Sequence, residues 1–366
     1  MKPDKRARLS KVADGHFAAN HPGQDREECV LRLVQRETQR IRHFKLFAED
    51  RRKRLDATRS LCPERVWLAD FHSHSDYSDG TAVHLGEISQ VASQFGIDVQ
   101  TVTDHNTLDQ RRDVAKFPNL AYGIELVAEG QHFVVLDIKD LMCNGTGNVT
   151  LSDKLDQARK LGGFFIIAHP CGWRTCIYPP ATVEKVAQLE GRYGMEIGNG
   201  AENIFDYYDY TDAQALKLWD RLLCMGRKVV AVGNTDAHAV TELGMIWNGL
   251  VGPKPDVNRI GKRAAKGNHF VSDSPFIFAS VNDAAMGETI RAERCEIEVR
   301  AYDSAGLAQL RLIHNGKVIN TKNDSNSPTS LTIELTHKPT ASGYYRAEVL
   351  SHDFRKGFSN PLWVER

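Results

Sequence analysis

Much of what would simplify this sequence is missing from it. No run approaches the roughly 18 apolar residues of a membrane span, and the opening "MKPDKRARLSKVADG" lacks the apolar segment of a secretory signal. There is no C-x-x-C pair. The seven cysteines (29, 62, 143, 171, 176, 224 and 295) are odd in number and irregularly spaced, which argues against both a zinc ribbon and a disulfide framework. Net charge is also absent, since 47 Lys/Arg balance 47 Asp/Glu. Whole-chain attraction to nucleic acid or to a membrane is therefore not expected. These absences together predict a cytoplasmic protein with reduced thiols.

What is present is ordinary in bulk and uneven in detail. The 41% apolar and 26% charged residues suit a globular chain, and 366 residues suit two or three domains. Residues 1–65 hold 17 Lys/Arg against 10 Asp/Glu, leaving +7 there and −7 over the remainder. Within that basic segment Val30, Val34, Ile41, Phe44 and Phe47 recur at helical spacing and form an apolar stripe. The stripe packs either on the body or on a second copy, as a homodimer. The run "RRKR" at 51–54 is either an anion site or a solvated helix end.

Residues 66–273 alternate short apolar runs with helical stretches. "VWLADFH", "VQTVTDH", "LAYGIEL", "HFVVLDI", "GGFFIIAHP", "GMEIGN" and "KVVAVGNTDAH" read as strands; "LGEISQVASQF", "LSDKLDQARKL" and "TDAQALKLWDRLLCMG" read as helices. Strands without clean polar alternation predict a buried, mainly parallel sheet in a barrel-like α/β architecture. Residues 274–366 change texture. "CEIEVRAYD", "LAQLRLIHNGKVI", "TSLTIELT" and "GYYRAEVLS" alternate apolar and polar residues, predicting a small all-β domain, a sandwich.

The chemistry lies in the middle segment. "DFHSHSDYSDG" places His72 and His74 on one face of a strand end, with Asp79 in the turn that follows. Asp104 and His105 end the next strand, Glu125 follows in "GIEL", and His169 in "IIAHP". Asp236 and His238 close "VGNTDAH", while His132 stands at the start of a run rather than its end. In an α/β barrel the carboxyl ends of the strands converge on one face, where active sites are built. Six of the 14 histidines and three carboxylates therefore meet at one rim. Left unsatisfied, such groups cost about 1–3 kcal/mol each. Divalent ions satisfy them together, because imidazole and carboxylate suit Zn, Mn and Fe. The donors outnumber the four that one tetrahedral ion accepts, so more than one ion is expected.

The ordered set H-x-H, S-D-G, T-D-H, G-x-E, His, A-H-P and D-x-H, over about residues 67–240, resembles the PHP (polymerase and histidinol phosphatase) superfamily. "GNHFVSDSPFIFASVNDAAMGETI", "LRLIHNGKVI" and "GFSNPLWV" are similar to its CehA/McbA (carbaryl-hydrolase-like) branch. The resemblance implies a distorted (β/α)7 barrel with two or three divalent ions, flanked here by an N-terminal helical extension and a C-terminal β-sandwich-like domain. It implies one ion on His72, His74, Glu125 and Asp236, with Glu125 bridging to a second ion on His132 and His169. Asp79, His105 and His238 would hold a third ion or help fix substrate, and Asp104 would orient a histidine from behind.

Such a centre hydrolyses esters with metal-activated water and needs no Ser or Cys nucleophile. Cys171 and Cys176 are accordingly read as structural. Asp79 or His238 would protonate a leaving group, and Arg174 would hold an anionic group of the substrate. Trp173, Tyr178 and Trp247 are either pocket walls or core, and Asn199 is placed within reach of the site. The leading expectation is a phosphoesterase acting on a small-molecule or nucleotide phosphoester. The alternatives are a carboxylic ester or aryl carbamate hydrolase, and, in a different class, a nuclease or accessory binding module.

Overall fold

The seven apolar runs become strands because each is short, rich in Val, Ile and Phe, and interrupted by Gly or a polar pair. In the computed structural model, which describes residues 46–78, 81–142, 149–173, 176–200 and 210–366, they are β1 (Val66–Asp70), β2 (Val99–Val102), β3 (Leu120–Ala128), β4 (Gln131–Leu136), β5 (Phe164–Ile167), β8 (Gly194–Asn199) and β9 (Val230–Asn234). A two-stranded hairpin, β6 (Gly172–Trp173) and β7 (Cys176–Ile177), lies between β5 and β8. The stripe residues at 30–44 fall outside the described residues. From Asp50 to Arg366 the described chain packs as one unit.

The sheet is mostly parallel: β1–β2, β2–β3, β5–β8 and β8–β9 all pair in parallel. The exception is the antiparallel insert β3–β4–β5. Its turn is Glu129–Gly130, both at positive φ (52° and 79°), as a two-residue hairpin of the primed type requires. Strands β2, β5, β8 and β9 are buried throughout, because helices such as Leu85–Phe95, Leu151–Lys160 and Tyr210–Cys224 cover the sheet.

The expected barrel is not closed by a continuous ladder. On its far side β1 pairs with the antiparallel β10 (Trp247–Val251), and among the described residues β9 pairs with β8 alone. Side chains span the gap. Asn248 accepts from Gly233 N at 3.0 Å and donates to Gly233 O at 2.7 Å and Ala69 O at 3.1 Å, acting as a piece of backbone between β9 and β1. Beyond the strand ends a single parallel bridge, Ser73 to Ala237, draws the two together again.

No break in the sheet falls at residue 274. β10 pairs with β11 (His269–Ser272), which pairs with Lys356–Ser359 and through it with the long antiparallel strands Gly343–Ser351 and Leu307–His314. A second antiparallel sheet, built on Phe276–Val281, Cys295–Tyr302 and Ser330–His337, faces it. Asn315 and Gly316, both at positive φ, make the expected Asn-Gly turn. Asn360 locks the two halves, accepting from Ala231 N at 2.8 Å and donating to the Ala231 and His269 carbonyls.

Residues 50–61 are helical, and two arginines of their basic run turn onto the body rather than standing in solvent alone. Arg54 forms a two-pronged pair with Asp303 at 2.7 and 2.9 Å and reaches Asp353 as well. Arg51 donates to the Asp273 carbonyl, and Arg59 pairs with Asp98 at 2.8 Å. The described end of the basic segment thus packs on acidic and carbonyl groups of its own chain. Among the described residues no helix is long and apolar enough to cross a membrane, and the five described cysteines are free thiols.

Candidate metal centre

Past β1 the chain stays extended, so His72 and His74 point to one side. Asp70, fully buried at the end of β1, holds this extension to β9: it accepts from His72 N at 3.2 Å, from Thr235 N at 3.1 Å, and from the Thr235 hydroxyl. Opposite them Glu125 projects from β3 and Asp236 from the loop after β9. Among the described residues three overlapping donor groups form here: His72, His74, Glu125 and Asp236; His105, Glu125 and His132; and His74, His105 and His238.

The first group is buried and arranged around a point. His72 Nε2 stands 3.2 Å from His74 Nε2, 3.2 Å from Glu125 Oε2 and 3.2 Å from Asp236 Oδ1. His74 Nε2 lies 3.1 Å from the same Glu125 oxygen and 3.0 Å from the same Asp236 oxygen. Donors about 2.0 Å from a common ion sit roughly 3.3 Å apart in a tetrahedral shell and roughly 2.9 Å apart in an octahedral one. The observed spacings fall between these. A hydrogen on His72 Nε2 points one way only, and cannot serve three neighbours at once. Glu125 Oε2 has no well-aligned donor, although His105 Nδ1 also stands 3.1 Å away. A cation at the centre satisfies all of them, so the residues present fit a divalent ion.

The other Glu125 oxygen faces a second set: His132 Nδ1 at 2.8 Å and His169 Nε2 at 3.4 Å. One carboxylate thus separates two groups of imidazoles. The antiparallel direction of β4 explains why His132 begins a strand, since it lies across from Val127 at the carboxyl end of β3. His169 and Asp236, neither a glycine, hold positive φ (28° and 50°). Their amides are pinned, to Glu196 at 2.7 Å and to the His72 carbonyl at 2.9 Å. His105, His132 and His238 are half-buried, so the centre opens on that side.

The residue that sequence reasoning missed is Glu196, inside "MEIGN". Its Oε1 accepts from His72 Nδ1 at 2.9 Å and Asn234 Nδ2 at 2.8 Å; its Oε2 accepts from His169 N and from Asn199 Nδ2 at 3.0 Å. The bond to Nδ1 leaves His72 Nε2 facing the centre, the usual carboxylate–histidine arrangement behind a metal. A charged residue in an otherwise buried six-residue strand was the available signal. Asn199 reaches the site as a brace, between Glu196 and Asp236 Oδ2. Asp104 does not orient a histidine as expected. It accepts from the Ser75 amide and from the Ser75 and Ser78 hydroxyls at 2.7–2.8 Å, fixing the turn after His74. His238 Nδ1 donates to the Asp236 carbonyl at 2.9 Å, and its ring stacks on His74 at 4.2 Å.

Electrostatics follow from this crowding. Burial alone would lower the His72 pKa, but Asp236, Glu125 and Glu196 hold it well above the ordinary value. Burial is likewise overcome at His74, which hydrogen bonds to Asp236 and Glu125 raise to about 9. His105 goes the other way, to about 4, because burial and the positive charge of its neighbours outweigh Glu125. Glu125 and Asp236 are pulled well below the usual carboxylate range by the same histidines, against the opposing effect of burial.

Around the opening, Trp173 and Tyr178 make an aromatic wall. Their rings lie 5.0 and 5.9 Å from that of His169, and the Tyr178 hydroxyl is 3.5 Å from His169 Nδ1. Trp247 is not part of it; it is core, packed edge-on against Phe270 and Phe276. Cys171 is buried, and burial pushes its thiol up to about 11, which suits a structural role. Asp79 and Arg174 lie outside the described residues.

No family model matches the chain, and no curated protein matches it. Solved structures similar to parts of it include PsfC from Pseudomonas syringae, at 15% identity and TM-score 0.39 over 52% of this chain and 84% of that one. A candidate metal-dependent phosphoesterase from Bifidobacterium adolescentis is 12% identical, with TM-score 0.35 over 47% of this chain and 88% of its own. An amidohydrolase from Chromobacterium violaceum is 16% identical, with TM-score 0.34 over 47% and 87%. At these values the likeness fixes neither activity nor substrate.

Proposed function

We propose that this chain is a multinuclear metal-dependent hydrolase of the PHP type, acting on a phosphoester of a small molecule or nucleotide. The observation that carries the reading is Glu125, with one oxygen facing His72, His74 and His105 and the other facing His132 and His169. His72, His74, Glu125 and Asp236 would hold one ion, and Glu125, His132 and His169 a second. His105 and His238 stand at the opening for a third ion or for substrate. Divalent ions at such a centre supply Lewis acidity and activate water for attack on phosphorus or a carbonyl carbon.

The chain's own side chains do the rest. Glu196 keeps His72 in the tautomer whose Nε2 faces inward. The Nδ1 hydrogen of His238 is held by the Asp236 carbonyl, leaving Nε2 to pass a proton to a leaving group at the opening. Trp173 and Tyr178 keep bulk water from one side of the centre. That aromatic wall also supports the second reading, a carboxylic ester or aryl carbamate hydrolase with the same ions, because an aryl group packs well against it.

Elemental analysis of the purified protein, combined with turnover of aryl phosphate, phosphodiester and carboxylic ester substrates, tests both. We expect two or three transition-metal ions per chain and phosphate release that Glu125→Ala abolishes. Ester or carbamate turnover alone selects the second reading, and less than one ion per chain overturns both.

A further inference from the structure

Next to the centre lies a groove of about 440 Å³ that none of the ligand residues lines. Its volume falls within the roughly 300–1,000 Å³ of small-molecule sites. Val183 and Leu218, from helices Pro180–Gln188 and Tyr210–Cys224, line it together with Tyr178. The same tyrosine touches His169, so a group filling the groove ends beside the metal ligands. Ile177 at the edge is 65% exposed, a large aliphatic side chain left in water beside an opening. Lys217 and, one turn on, Arg221 are exposed members of the same lining. Arg221 is neutralised by Glu184 at 2.8 Å, whereas Lys217 makes no ion pair among the described residues.

We propose that this groove takes the part of the substrate beyond the hydrolysed bond: a compact aryl or alkyl group bearing one anionic group, which Lys217 holds. The inference rests on the hydrolase reading for what lies at its inner end. Aliphatic side chains and, among the described lining residues, one positive charge in excess match an amphipathic monoanion; a neutral sugar would leave Lys217 unanswered, and a polyanion would meet Glu184.

The test uses the full metal-loaded chain with benzoate and uncharged benzamide as probes, their affinities measured by titration calorimetry. Benzoate should bind more tightly than benzamide. Lys217→Ala should weaken benzoate about fivefold without changing benzamide, while Lys217→Arg restores it. Val183→Trp, which fills the groove, should exclude both probes. Metal content should be unchanged in all three variants, and turnover of phenyl phosphate and phenyl acetate, whose rings carry no anionic group for Lys217, should be unchanged in both Lys217 variants and fall in Val183→Trp. Benzoate affinity indifferent to Lys217→Ala, or binding that survives Val183→Trp, overturns the inference. Absence of metal or of small-ester turnover in the wild type would instead overturn the hydrolase reading, with probe binding still reporting on the groove.

Discussion

At the scale of single residues, the centre divides between donors and the groups that aim them. Not every buried histidine belongs to it. His269 is equally buried, but it donates from Nε2 to the Ala231 carbonyl at 2.9 Å, and burial lowers its pKa to about 4. Among the described residues no donor group forms around His269, whereas His72 has three heavy-atom neighbours around Nε2 and Glu196 behind Nδ1. Glu196→Gln should therefore weaken metal binding about 10- to 100-fold while the chain remains folded. The new amide would press an N–H₂ against donors on one side of the carboxyl. Competition with a chelator measures the affinity and circular dichroism the fold. An affinity equal to the wild type would remove Glu196 from the centre.

At the scale of elements, the rim is assembled by strand direction. Parallel strands deliver His72, His74, His105 and Asp236 from their carboxyl ends, and the β3–β4 hairpin delivers His132 from an amino end. The seven runs and three helices read from the sequence all form, since each carries its own period and its own stops. β10 and β11 escaped notice because the Asn-Gly inside "WNGLV" reads as a turn and "HFVS" is bounded by polar residues without an apolar run. Yet β10 carries Asn248, which links β9 to β1 where no ladder does. Asn248→Ala should cost about 2–4 kcal/mol, because it strands the Gly233 amide and carbonyl in the interior. Urea unfolding measures the loss, and a cost under about 0.5 kcal/mol would mean that solvent or a shifted β9 replaces the bridge.

At the scale of the whole molecule, the centre ties together elements from Asp70 to His238, so metal loading should stabilise the entire unit. The pH dependence has a defined sign. In the metal-free chain His72 and His74 sit above their unfolded value near 6.5, His74 at about 9. The stability contributed by their protonation is full below about 6.5 and is lost as the pH climbs through about 9. Metal binding must expel the same protons and so strengthens over that window. The difference in melting temperature between zinc-loaded and chelator-treated protein should therefore be larger at pH 8.5 than at pH 6.5. Calorimetry at both values checks it, and a difference that shrinks with rising pH would contradict the donor assignment.

The sequence by itself determined the elements and the chemistry available to them. Hydrophobic period and turn residues are local, and a histidine or carboxylate at the end of an apolar run is visible without coordinates. Tertiary structure alone decided which of those groups face one another, because that depends on strand order and direction. It brought His132 to the rim on an antiparallel strand, turned Trp247 into core, gave Asp104 to a turn, and recruited Glu196 from a strand that looked merely buried. It also left the ring of strands open and ran the sheet on into the antiparallel half, since pairing between β10, β11 and the C-terminal strands joins segments far apart in the chain, and no local pattern encodes such contacts.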